Sequence, residues 1–341
     1  MTRPASPGLA DGLLAVHAHP DDETLATGAL LASRAAAGRP VTVVTCTRGE
    51  RGEVIDTPSH PTGLARLEGD GPALAAHRET ELAAAVAALG GSPGVVGHAF
   101  LDTVGVPGAD TGPRFEDSGM AWVAPGIAGP ADDAPTTAFA RVPLEDAAAR
   151  LAALVRTLRP AVVATYEERG GYGHPDHVRV HGVVVRALSL AADPGAPLPG
   201  EPWGGAELWQ AVAPSAALRA GRRALAAAPE AAALAARAGL TFPDADEPLP
   251  PLATHDAALA GDDPADVAVR TVDVAPVLDR VLAAMGAHAT QVQHATRASA
   301  ASGGEELLGW YALSNEVLAP VLAREHYLVS RPVVPRPEAR R

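Results

Sequence analysis

The sequence predicts an α/β fold: a mainly parallel sheet with helices on both faces and a smaller C-terminal lobe. Three observations predict it. Short apolar runs alternate with helix-spaced segments, a rhythm that argues for parallel strands joined by crossover helices. Runs such as LLAVH at Leu13 to His17 and VTVVTC at Val41 to Cys46 carry almost no charge, as befits strands buried on both faces. Polar, chemistry-bearing residues then follow the runs directly, at the end where open α/β sheets form their ligand crevices.

Taken in order, the first strand covers about Gly12 to His17. A helix follows from about Asp22 to Ala37, with Leu25, Ala29, Leu31, Ala32 and Ala36 at roughly helical spacing. Arg39-Pro40 opens the second strand. The segment from Thr47 to Ala75 is rich in Gly, Pro and charge, and loops this long are usually functional or disordered. Its start, RGERGE at Arg48 to Glu53, is expected to reach the crevice, although a solvated charge cluster accounts for it equally well. A helix from Leu74 to Leu89 carries Arg78, and a strand from about Gly94 to Leu101 ends at Asp102. Thr103 to Ala140, containing Asp117-Ser118-Gly119-Met120, reads as a lid or substrate loop.

The helix Leu144 to Leu158, the strand Pro160 to Thr165 and a helix from His174 to about Leu190 restore the rhythm. Beyond Ala191 the signals weaken. A Pro-rich linker precedes a strand within Trp203 to Pro214, then a peripheral helix and irregular loop over 221–263. A short strand at Thr271 to Ala275, a helix at Val277 to Val292 and a flexible loop at Ser299 to Gly304 follow. Leu307 to Val329 reads as a helix and then a strand. The expected organisation is a Rossmann-like core over 1–192 and a lobe over 193–330 that completes the sheet and the substrate pocket. A disordered tail is expected over 331–341.

Composition excludes several functions. A chain of 341 residues, 47% of them hydrophobic, can bury a substantial core. No run approaches the roughly 18 apolar residues a membrane helix needs, and the N-terminus lacks a signal-peptide apolar region, so a cytoplasmic protein without a membrane partner is expected. The single cysteine, Cys46, excludes an intramolecular disulfide and a cysteine-rich zinc site. It reads as a small buried apolar residue. A net charge of −13 argues against a nucleic-acid partner. Oligomeric state, including a homo-oligomer, stays open.

Two segments carry the chemistry. After the first strand comes His19-Pro20-Asp21-Asp22-Glu23. Pro20 fixes its own φ and biases His19 towards an extended conformation, narrowing the turn. One of the adjacent aspartates can ligate a metal while the other faces the water or substrate bound there. The competing account makes these carboxylates ordinary helix N-terminal charges. The second segment, GGYGHPDH at Gly170 to His177, repeats the logic. Pro175 suits a first helical turn, and His174 and His177 share one helical face. The glycines allow a close backbone approach to a ligand. Two strand ends, each supplying His and Asp at a Pro-fixed turn, look like one divided metal site. His181, four residues beyond His177, could ligate by spacing but is expected to lie one turn deeper as a structural residue. His17 could support the site or simply fill the core.

Together HPDDE and GGYGHPDH resemble the PIG-L/LmbE-like family of metal-dependent N-acetylglucosamine deacetylases. The similarity is closer to the mycothiol-biosynthesis branch. VHAHPDDE, VVTCTRGERGEV, DSGMA, GGYGHPDHV, AHATQV and LSNEVLAPVLAREHYL all look like its segments, in order from about residue 13 to 329, with Arg222 to Val269 uninformative. The resemblance implies removal of acetate from an N-acetylglucosaminyl inositol, a small amino-sugar substrate. It implies His19, Asp22 and His177 as ligands of one Zn2+ per subunit, with Fe2+ the alternative, and Asp21 as general base. Tyr172 and His174 would contact the substrate carbonyl or leaving group, with Asp176 fixing the His174 tautomer. Arg78, Asp117 and Glu53 would touch sugar or inositol.

The chemistry agrees with this ligand set. Three protein ligands leave an open position for water, and two imidazoles with one carboxylate leave the ion a net positive charge. Tyr172 could instead only pack over the crevice, and Arg78 could be a solvated helix charge. The sister amidase of mycothiol S-conjugates is the alternative reading. It resembles Arg51 to Glu53 and FARVPLE at Phe139 to Glu145, whereas Gly173 favours the deacetylase. A non-catalytic metal- or sugar-binding relative is the third.

Overall fold

The computed structural model describes residues 11–105, 114–124, 126–247, 249, 268–300, 302, 304 and 306–330. The apolar runs of the first half become strands of one sheet. β1 (Leu13–His17) is buried along its whole length. Leu13 and Ala15 belong to one core and Leu14 and Val16 to another, so alternation sends side chains into both faces. β1 pairs in parallel with β2 (Val41–Thr45) on one side and β6 (Val162–Tyr166) on the other. The full order is β3-β2-β1-β6-β7-β12-β8, where β3 is Val96–Phe100, β7 Glu207–Val212, β8 Ala268–Asp273 and β12 Arg324–Ser330. β12 alone runs antiparallel to its neighbours, so the expected mainly parallel sheet is present.

Helices cover both faces. α1 (Asp22–Ala36), α2 (Gly71–Gly90) and α8 (Leu278–Ala287) pack on one side, with Leu31, Leu82 and Leu278 in a common core. α3 (Leu144–Leu158) and α5 (Pro175–Ala192) pack on the other around Leu151 and Val184. The chain moves from β1 out to β3 and then returns to place β6 on the opposite side of β1. The strand order therefore reverses between β1 and β6, and a crevice opens at their C-terminal ends. Both His/Asp motifs lie there.

Several elements depart from the sequence expectation. α2 starts at Gly71 rather than Leu74, because the Asp70 side chain accepts the Ala73 N–H (3.2 Å) and Pro72 opens the first turn. The segment taken as a lid loop holds an antiparallel hairpin, β4 (Met120–Ala124) and β5 (Ile127–Pro130). The expected helix Val277 to Val292 stops at Ala287, and β9 (Gln293–Arg297) follows. The expected helix-then-strand at the C-terminus is β10 (Leu307–Ala312), β11 (Leu318–Leu322) and β12. A short apolar run does not by itself distinguish helix from strand. Trp310, Tyr311 and Gly309 favour the strand, since a Cβ at Gly309 would meet the Thr296 carbonyl of the neighbouring strand. β9, β10 and β11 form a separate antiparallel sheet. With α6 (Ser215–Ala227) and α7 (Pro229–Ala238) it encloses a small core around Leu225, Leu234 and Trp310. The tail expected over 331–341 lies outside the described residues. Among the described residues no helix is long and apolar enough to cross a membrane.

The C-terminal strand is tied to the first helix. α1 is kinked at Thr27 (φ −141°, ψ 15°), and Glu325 of β12 accepts the N–H groups of Ala29 (2.6 Å) and Leu30 (2.9 Å) just beyond the kink. The Tyr327 hydroxyl donates to the same carboxylate (2.6 Å). Desolvation outweighs these three donors and pushes the Glu325 carboxyl from 4.5 up to about 7. The folded state thus holds a proton that the unfolded chain has released. The stability from this group is complete below pH 4.5 and is lost as pH rises through about 7. The midpoint of urea unfolding is expected to fall between pH 5 and pH 8 by a smaller amount in Glu325→Gln than in the unmodified chain.

Candidate metal centre and active site

The first motif emerges from β1 as a tight turn. Asp21 has φ 104°, a conformation costly for a residue with a Cβ, of order 1–3 kcal/mol. It is held by its carbonyl accepting the Thr24 and Leu25 N–H groups, both at 2.9 Å, and by its own N–H donating to Glu23 (3.0 Å). Asp22 then turns back to accept the His19 N–H (2.9 Å). Its Oδ2 lies 3.3 Å from His19 Nδ1 and its Oδ1 3.4 Å from His177 Nε2. One carboxylate therefore faces an imidazole from each motif.

The second motif uses its glycines directly. Gly170 has φ +68°, and a Cβ there would lie 2.6 Å from His177 Cβ and 2.7 Å from the Val178 nitrogen. Its carbonyl accepts from His177 Nδ1 (3.2 Å), which leaves the Nε2 lone pair directed at Asp22. That Nε2 is buried and has no hydrogen-bond partner among the described residues. His19 is arranged alike: its Nε2 faces carboxylate oxygens of Asp176 (3.2 Å) and Asp117 (3.4 Å). Its Nδ1 is left towards Asp22. An imidazole whose rear N–H is held by a carboxylate or carbonyl is the usual partner of a metal.

Groups that could hold an ion are present. Ring nitrogens of His19, His174 and His177 lie within 4.8 Å of one another, as do ligand atoms of His19, Asp117 and Asp176. His174 caps α5, and its Nδ1 accepts the Asp176 N–H (3.1 Å). The neutral ring then carries its proton on Nε2, which makes it a donor to the crevice rather than a ligand. This corrects the expectation that the Asp176 side chain sets the His174 tautomer. The backbone of Asp176 does that. Its carboxylate is occupied by His19, the Ser118 N–H (2.9 Å) and the Ser118 hydroxyl.

The charges fit these positions. Burial works against ionised Asp22, but the His177 and His19 imidazoles outweigh it and hold the carboxyl well below its ordinary range. Desolvation and the charge of Asp22 push Asp21 up to about 8. Burial and the neighbouring His19 and His177 rings lower His174, so it stays neutral. Burial and Asp22 raise the Tyr172 hydroxyl, which keeps its proton. The Tyr172 ring lies 5.1 Å from that of His177 and 6.0 Å from that of His174.

The remaining expected residues separate clearly. His181 bonds the Tyr166 carbonyl (3.0 Å) one turn below the cluster, as a structural residue would. His17 is fully buried against Thr27 (2.9 Å), and burial lowers it to about 4. Arg78 is not a solvated charge: it is 3% exposed and donates to the carbonyls of Gly49 and Glu53. It pegs the RGERGE loop against the crevice, where Arg48 makes a two-pronged buried pair with Asp102. A crevice of about 480 Å³ is walled by His19, Asp21, Arg78, Asp117, Tyr172 and His174, with Glu53 at its edge.

Sequence reasoning missed three contributors. Trp122, 58% exposed on β4, overhangs the crevice with its ring 6.0 Å from Tyr172. Asn315 adds an amide to the wall. His288 bonds Glu23 (2.8 Å), both fully buried, and ties the turn after α8 to the first motif. Only the AHATQV resemblance pointed to His288. No sequence signal pointed to Trp122.

A mainly parallel sheet that brings two His/Asp turns together at its reversal point, in a cluster that could hold a metal ion, defines an α/β protein with a candidate metal centre. Residues 14–188 match the model of the GlcNAc-PI de-N-acetylase (PIG-L) family, and the chain belongs to that family. It is 41% identical over 317 residues to the 1D-myo-inositol 2-acetamido-2-deoxy-alpha-D-glucopyranoside deacetylase of Kineococcus radiotolerans, covering 92% of this chain and 76% of the relative. It is also 41% identical over 281 residues to the protein of the same name from Nocardioides sp., covering 82% and 83%. A third of these, deacetylase 1 of Catenulispora acidiphila, is 39% identical over 326 residues, covering 95% and 85%.

Gly170→Ala is expected to push His177 off its alignment and weaken metal binding about 10- to 100-fold, the scale seen when a ligand's supporting partner is lost. Titrating metal-depleted protein with Zn2+ against a competing chelator measures it.

Proposed function

We propose that the chain is a metal-dependent N-deacetylase that hydrolyses the acetamide of 1D-myo-inositol 2-acetamido-2-deoxy-alpha-D-glucopyranoside. The products are acetate and the glucosaminyl inositol of mycothiol biosynthesis. The observation that carries this reading is the buried His177 Nε2, unpartnered and aimed at an Asp22 carboxylate that also faces His19. Substrate identity is supported by relatives of that name at about 40% identity across most of both chains. Action on this small amino-sugar in the cytoplasm belongs to the same proposal.

His19 Nδ1, Asp22 and His177 Nε2 would hold Zn2+, with Fe2+ the alternative for the same donors. When bound, the ion supplies Lewis acidity, polarising the amide carbonyl and making water more acidic. Asp21, adjacent in sequence but turned into the crevice, accepts the proton of the attacking water in its ionised form, which the charge of a bound cation would favour. An amide is a poor electrophile, so the developing oxyanion needs fixed donors. The Tyr172 hydroxyl and His174 Nε2–H provide two, and the proton that Asp21 takes from the water passes to the departing amine. Asp176 and Asp117 hold the rear of His19. Arg78, Asp117, Glu53 and Asn315 offer hydrogen bonds to sugar and inositol hydroxyls, and Trp122 offers a face for the sugar ring to stack on.

Asp21→Asn is the decisive variant, since Asn tolerates the left-handed backbone. The reading expects kcat to fall about 10²- to 10⁴-fold while bound metal stays near one per chain. A non-catalytic binding protein would show no acetate release to lose. Faster cleavage of a mycothiol S-conjugate than of the acetamide would overturn the reading in favour of the amidase. Trp122→Ala is expected to raise KM for the inositol glycoside about tenfold, the loss of a stacking contact worth 1–1.5 kcal/mol, with kcat little changed.

A further inference from the structure

A second cavity lies against the cluster from the other side. It has a volume of about 370 Å³ and is walled by the ends of β6, β7 and β11 together with α6 and α8. It shares Asp22, Leu25 and Tyr172 with the polar crevice and also touches His177, so the cluster stands where the two spaces meet. Its lining is mainly apolar, including Ala211, Leu218, Val281, Met285, Val321 and Leu322. The charged groups at its edge are committed elsewhere: Glu325 to Ala29, Leu30 and Tyr327, and Arg324 to Asp273.

We propose that this cavity is an acyl subsite, and that the chain hydrolyses amides of the same amino-sugar whose straight aliphatic acyl chains are longer than acetyl. The inference rests on the deacetylase reading, which places the amide carbonyl at the cluster. The nitrogen side of that amide carries hydroxyls and belongs in the polar crevice with Arg78, Asp117 and Asn315. The carbon side must then leave on the other face, into the apolar space. An acetyl group ends in one methyl and leaves most of the cavity unused, whereas a butyryl or hexanoyl chain buries methylenes against Leu218, Val321 and Leu322. The reaction is unchanged: the C–N bond breaks, the water oxygen bonds to the carbonyl carbon, and a proton goes to the departing amine. The products are the free amine and a longer carboxylate.

The test compares kcat/KM of the metal-loaded protein for the N-acetyl, N-butyryl and N-hexanoyl forms of glucosaminyl inositol. Each added methylene is expected to raise kcat/KM by up to about fourfold while the chain still fits. Leu218→Trp, which fills the cavity, is expected to lower the hexanoyl-to-acetyl ratio about tenfold or more. A variant that merely folds less well lowers both rates and leaves that ratio alone, so the ratio is the quantity read. A hexanoyl amide cleaved more slowly than the acetyl amide by the unmodified chain overturns the subsite, as does a ratio indifferent to Leu218→Trp in a folded variant. Cleavage of the hexanoyl amide with no acetyl turnover would instead sink the deacetylase reading and leave the subsite standing.

Discussion

The Asp22 carboxylate, held between His19 and His177, is the constraint around which the molecule is arranged. A buried charge is costly unless it is paired, and here the two partners come from turns about 155 residues apart in sequence, joined only because β1 and β6 are neighbours. Parallel pairing with Leu13 opposite Val162 brings the two strand ends level. A register slip would separate the motifs and leave a carboxylate and imidazoles buried without one another.

Around this contact the polar groups form an ordered set of supports. Gly170 fixes one imidazole through its carbonyl, and Asp176 and Asp117 fix the other. Ser118 fixes Asp176 in turn. The capping geometry of α5 gives His174 a defined tautomer without spending a side chain on it. The reactive positions are therefore set by helix ends and strand ends, elements that move little, while the RGERGE loop is pinned from outside by Arg78 and Arg48.

Much of this was legible before the structure. α3 has the bounds its spacing gave, Leu144 to Leu158, and β1 and α1 differ from expectation by a residue. Strong periodicity and clear stop signals make such elements readable. Both His/Asp turns were visible because Pro, Gly and ligand residues coincide at strand ends. Less legible was whatever depends on a partner distant in sequence. LLGWYA and LAPVLAREHYL have apolar spacing that suits either helix or strand, and only the waiting edges of β7, β8 and β9 decide it. Asp176 sits beside His174 in the chain yet points at His19, a choice made by side-chain direction at a helix start. Trp122 becomes part of the crevice only because the β4–β5 hairpin folds over it.

The hydrogen bond between Glu23 and His288, with the anchoring of α1 by Glu325, has a consequence for synthesis on the ribosome. The first motif emerges well before the groups that hold its helix in place, Glu325 following Ala29 by 296 residues. A nascent chain that has not yet reached His288 would carry HPDDE on a turn without its Glu23 tether and its Glu325 anchor.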